Sequence, residues 1–71
     1  MNGNEFIKKI RQYGRENGLV VTLDQNRGKG SHSLLSLGDK RTTIRNLSTE
    51  LKTGTLAGML KQLGLTRDDI I

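Results

Sequence analysis

Apolar residues follow two rhythms along this chain. Between residues 4 and 17, Phe6, Ile7, Ile10 and Tyr13 recur at intervals of three and four, the spacing that lines one side of an α-helix. Asn4 is placed to cap this helix, which runs through Asn17. Gly18 follows as a stop that can take the left-handed conformation past a helix end. Lys8, Lys9, Arg11 and Arg15 fall mostly off the apolar stripe and read as a solvated face. From Leu19 the period drops to two. Leu19, Val21 and Leu23 share one side, with Val20 and Thr22 on the other, which predicts a strand. Asp24 to Ser31 is polar and carries two glycines. It reads as a loop longer than the usual hairpin connection of about 2–5 residues.

Ser33 to Leu37 reads as a second strand, in which the adjacent Leu34 and Leu35 leave the inward face open. Gly38-Asp39 forms a compact turn, and glycine at the first central position suits a type II′ hairpin. Arg41 to Arg45 forms a third strand, with Ile44 facing in and Arg41, Thr43 and Arg45 sharing the other face. Asn46 to Thr53 connects to a second helix, which starts near Thr53 or Thr55 and ends at Gly64 with Leu56, Met59, Leu60 and Leu63 as its stripe. Thr66 to Asp69 caps a short last turn that packs Ile70 or Ile71. The fold class expected is α+β in the order α-β-β-β-α. It has a three-stranded antiparallel sheet with both helices on one face, the order of the double-stranded-RNA-binding fold.

Composition narrows the class. Seventy-one residues allow one domain, residues 1–71. Hydrophobic residues make up 32%, with one Phe, one Tyr and no Trp, so the core is aliphatic and thin. There is no cysteine, which excludes disulfides and thiolate metal sites and fits a cytoplasmic protein. The longest apolar run is Leu19-Val20-Val21, too short to span a membrane, and Met-Asn-Gly-Asn-Glu is no signal peptide. Twelve Lys and Arg against seven Asp and Glu give +5 and a pI near 10.1. Two of those acids, Asp68 and Asp69, lie in the tail. The excess points to a polyanion, most simply nucleic acid.

The candidate chemistry centres on His32, the single histidine, which follows Gly28-Lys29-Gly30-Ser31. RNA carries its own nucleophile, the 2′-hydroxyl. Its cleavage needs a base, charge stabilisation at phosphorus, and an acid for the leaving oxygen. Imidazole suits the base or acid role. Arg27, Lys29, Lys40 and Arg41 are the cations nearest in sequence, able to stabilise phosphate charge. Gly28 and Gly30 permit close backbone approach and can present N–H groups to a phosphate. With no second histidine, the second proton-transfer group is water, a lysine, or a carboxylate such as Asp24. The competing reading makes His32 a surface or half-buried side chain with local hydrogen bonds. Lys52 and the helix start at Thr53-Gly54-Thr55 are a second phosphate candidate, against ordinary capping by Thr53 or Thr55. Gly28-Lys29-Gly30-Ser31 lacks the spacing of a P-loop and the clamp of a KH domain. No His, Cys or carboxylate set calls for a metal, and no cofactor is expected.

"GKGSH", "GDKRTTI" and "ELKTGTLAGMLKQLGLT" occur in that order. With the N-terminal helix they resemble the HicA toxin family, small ribonucleases of bacterial toxin–antitoxin pairs. The resemblance covers nearly the whole chain. Its most specific parts are Gly30-Ser31-His32, Gly54-Thr55-Leu56 and Leu60-Lys61-Gln62-Leu63-Gly64. It implies a double-stranded-RNA-binding-like fold, mRNA cleavage with His32 as the catalytic residue, and inhibition by a HicB-type antitoxin. Relatives usually carry proline after the "TTI"-like strand, where this chain has Arg45; without it the strand exit is expected to be more flexible. Two other readings remain: a non-catalytic RNA-binding module, and a small protein whose basic surface meets only an acidic partner.

Overall fold

Asn2, not Asn4, opens the first helix. In the computed structural model, which describes residues 1–25 and 32–70, helix α1 spans Gly3–Asn17. The Asn2 side chain accepts the Glu5 N–H at 2.9 Å, and the Glu5 carboxylate accepts the Asn2 N–H at 3.3 Å. This reciprocal box needs an acid or amide three residues after the cap. Asn2 has Glu5 there, whereas Asn4 has Ile7. At the other end Gly18 takes φ 68°, as expected. The Leu19 amide donates back to the Gly14 carbonyl at 2.8 Å.

That bond takes up the Leu19 amide, and strand β1 accordingly spans Val21–Asp24 rather than starting at Leu19. Leu19 and Val20 stay exposed, at 41% and 72%. Asp24 ends the strand instead of opening the loop. Strand β2 is Ser33–Leu37 and β3 is Lys40–Ile44, one residue earlier than the alternation indicates. The sheet is antiparallel in the order β1-β2-β3. Gly38 turns β2 into β3 with φ 60°, and Asp39 does not share that sign, in keeping with a type II′ turn.

The register settles which leucine faces in. Leu23 pairs with Leu35 and Leu35 with Thr42, so Leu35 lies on the inner face with Val21, Ser33, Leu37, Thr42 and Ile44. Leu35 and Ile44 are fully buried. Leu34 falls on the outer face, between Asp24 and Thr43. Phe6, Ile7 and Ile10 of α1 join the inner face in one core. So do Leu56, Met59 and Leu60 of helix α2 (Thr53–Gln62), together with Leu63, Leu65 and Ile70. Helix α1 lies against β1 and β2, and α2 against β3. A 3-10 turn, Arg67–Asp69, boxed by Thr66 and Asp69, seats Ile70 in this core. Gly14 marks the closest approach of α1 to the sheet, since a Cβ there would sit 2.5 Å from Val21 Cγ2 and 2.9 Å from the Leu19 oxygen. Thr42, buried under α2, donates its hydroxyl to Gln62.

The segment after β3 is tied down from two sides. Asn46 accepts the Ser48 N–H and hydroxyl at 3.1 and 2.8 Å, a turn closed by its own side chain. The chain start holds the rest: Asn4 N–H donates to Leu47 O at 3.0 Å, Leu51 N–H to Met1 O at 2.8 Å, and Asn2 bridges Glu50. Among the described residues, no helix is long and apolar enough to cross a membrane.

Candidate nucleic-acid interface

The two helices cover the inner face of the sheet; among the described residues neither helix packs on the outer face, where Arg41 and Thr43 are exposed and Asp24, Leu34 and Ser36 are half-buried. Its side chains form rows across the strands: Thr22, Ser36 and Arg41 in one, Asp24, Leu34 and Thr43 in the next. His32 immediately precedes β2 and is half-buried. Alternation places it with Leu34 and Ser36 on this face. Extending the Ser33–Ile44 pairing by one step sets His32 opposite Arg45. Asp24 is the only acidic residue in the three strands. It lies opposite Leu34, on the diagonal from His32.

A cleft of about 310 Å³ opens where β3 ends and α2 begins. Thr43 and Arg45 at the end of β3, the connecting residues Asn46, Thr49, Glu50, Leu51 and Lys52, and Thr55 and Met59 of α2 line it. Glu50 also meets the Met1 ammonium. Among the described residues neither Arg45 nor Lys52 is ion-paired. Capping of α2 by Thr53 or Thr55 does not occur. Lys52 holds the cap position with no side-chain hydrogen bond, and the first-turn N–H groups open without a side-chain acceptor.

The structure therefore brings His32, Arg41, Lys52 and Thr55 to the open face and its β3 edge. Lys40 is set apart. It belongs to the parity of Thr42 and Ile44, beside the hairpin turn, and lines a notch with Tyr13, Leu63 and Leu65. Five residues of strand separate that end from His32, roughly 16 Å. Arg27, Gly28, Lys29, Gly30 and Ser31 lie outside the described residues, whose flanks Gln25 and His32 stand at the Arg45 end of the sheet. Sequence reasoning does not single out Thr43, Arg45 or Met59 as cleft residues. For Arg45 and Thr43 the signal exists, since alternation already puts them with Arg41. For Met59 it does not, because a core position and a cleft floor carry the same helical spacing. Among the described residues no group of three or more His, Cys, Asp or Glu is placed to hold a metal.

A family model described as "HicA toxin of bacterial toxin-antitoxin" matches residues 3–65, a span that includes His32 and the whole cleft. No curated protein and no solved structure matches the chain.

Proposed function

The chain belongs to the HicA toxin family of bacterial toxin–antitoxin systems, and from that premise we propose that it is a cytoplasmic, metal-independent endoribonuclease. In this reading residues 1–71 act as one module that cleaves mRNA and is held inactive by a HicB-type antitoxin. What supports the reading is that His32 directly precedes β2, where alternation would set it with Leu34 and Ser36 on the sheet face that bears Arg41, and that the β2–β3 register extended one step past Ser33–Ile44 would bring Arg45 opposite it.

The 2′-oxygen attacks phosphorus as its proton leaves, and the P–O5′ bond breaks as that oxygen takes up a proton. The products are a 2′,3′-cyclic phosphate and a 5′-hydroxyl. His32 serves one of the two proton transfers as general base or acid. Asp24, on the same face, water or a lysine serves the other. Guanidinium groups offset the charge that builds on the phosphate oxygens. Arg27, Gly28, Lys29, Gly30 and Ser31 hold the RNA backbone beside His32. Arg41, Lys52 and Thr55 extend the track along the sheet, and Lys40 adds charge at its far end. A HicB-type partner inhibits by covering the open face, with carboxylates on Arg41 and Arg45, so that RNA is excluded.

The test is RNA cleavage by wild type and His32→Ala in excess chelator, with circular dichroism on both. Cleavage by wild type alone, with matching spectra, is the expected result. Equal cleavage by both removes His32 from the chemistry. RNA binding without cleavage by either makes the chain a binding module.

A further inference from the structure

We propose that the cleft between β3 and α2 is a nucleotide subsite. It takes one unstacked nucleotide of single-stranded RNA next to the scissile phosphate, with the phosphate between Arg45 and Lys52 and the base against Leu51 and Met59. The proposal deepens the ribonuclease reading and rests on it.

Size comes first. At about 310 Å³ the cleft stands at the lower end of small-ligand pockets, roughly 300–1,000 Å³, room for one nucleotide and not for a helix. Its chemistry is divided in the same way as a nucleotide. The Met59 side chain, which packs into the core from α2, and half-buried Leu51 give an apolar floor. Methionine adapts to a flat, polarisable surface. Two cations stand at the rim without an acid partner among the described residues, while the cleft's one carboxylate, Glu50, is engaged by the Met1 ammonium. Thr43, Thr49 and Thr55 line the same cleft. Each hydroxyl can donate or accept, which is what reading the edge of a base requires. Sequence-specific RNA recognition works on splayed, unstacked bases in this manner.

Placement ties the cleft to the cleavage site. Arg45 stands opposite His32 when the β2–β3 register is extended one step. Neighbouring strands lie about 4.8 Å apart. A phosphate on Arg45 is thus adjacent to one at His32, and the cleft would hold the flanking nucleotide. An acidic peptide would satisfy the two cations but leave the floor at Met59 without a partner, so RNA is the favoured occupant.

The experiment uses the full chain as His32→Ala, isotope-labelled on backbone amides and methionine methyls. It is titrated by NMR with a single-stranded RNA hexamer, uridine and adenosine 5′-monophosphates, inorganic phosphate, and a hexaglutamate peptide. The expected result is movement of Thr43, Arg45, Thr49, Lys52 and Thr55 amides and the Met59 methyl with the hexamer. Nucleoside monophosphates move the Met59 methyl, and inorganic phosphate does not. Adding Arg45→Glu and Lys52→Glu weakens hexamer binding tenfold or more. Thr43→Val, at an exposed strand position, shifts the preferred cleavage sequence of the otherwise wild-type chain. Hexamer binding with a silent cleft overturns the subsite and leaves the ribonuclease reading standing. A hexamer that binds nowhere, with no cleavage by wild type, overturns both. Equal responses to inorganic phosphate and to nucleotides reduce the cleft to an anion site and overturn the proposal, as does a cleft that answers only to hexaglutamate.

Discussion

At the scale of single residues, His32 and Thr42 separate the proposed chemistry from stability. His32→Ala is expected to abolish cleavage while leaving RNA affinity within a few-fold, measured on the same preparation by fluorescence anisotropy. Thr42→Val acts on the other side of the sheet. It removes the hydroxyl that donates to Gln62, a bond worth about 1 kcal/mol net. Thermal unfolding should fall by roughly 4–8 °C for each kcal/mol in a chain of this size, with cleavage at 25 °C unchanged. His32 stands out in the sequence as its one histidine, and its proposed role rests on the family resemblance. The Asn2 cap is harder to see in the sequence because two asparagines stand two residues apart, and the deciding fact is Glu5 three residues after one of them.

At the scale of elements, close backbone approaches hold the site. A Cβ on Gly14 would collide with Val21 and the Leu19 carbonyl. Gly14→Ala should therefore cost about 1–3 kcal/mol by overpacking, read as a lower denaturant midpoint. Gly3 is the sharper probe. Its Cβ would lie 2.9 Å from Leu47 Cα and 3.1 Å from Leu47 O, so alanine pushes on the loop that forms the cleft. Gly3→Ala is expected to move the amide resonances of residues 46–52 and to cut cleavage several-fold; an unmoved loop with full activity would contradict this coupling. Helices and strands are legible here because both periods are strongly marked. Strand ends are less so: Leu19 has the alternation of a strand residue, but its amide closes the preceding helix. The loop after β3 is the least legible, because its order comes from Met1, Asn2 and Asn4, distant in sequence.

At the scale of the whole molecule, the shortest dimension is 17 Å against 31 and 24 Å. That thickness is one sheet and one layer of helix, with one core of aliphatic side chains around Phe6 between them. Ile44→Ala, at a fully buried position, should cost about 2–5 kcal/mol, a large share of what so thin a core provides. Loss of activity in that variant would track the unfolded fraction by circular dichroism, unlike His32→Ala. The chain carries a net charge of +5, so RNA affinity should fall steeply with salt. Arg41→Ala should lower the slope of log affinity against log salt by about 0.7, the value for one phosphate contact on a single strand. The sequence carries the fold order and the sign of the charge. It does not carry the cleft, whose walls come from β3 and α2 and meet only once both helices have packed.

The pairing of Asn2 with Glu50 and of Met1 with Leu51 joins residues nearly fifty positions apart in the sequence. A nascent chain on the ribosome can form α1 early, yet the loop and the cleft stay open-ended until Leu51 emerges and α2 follows. The cleft is thus the last part of the fold to close, because its formation waits on contacts of long sequence separation.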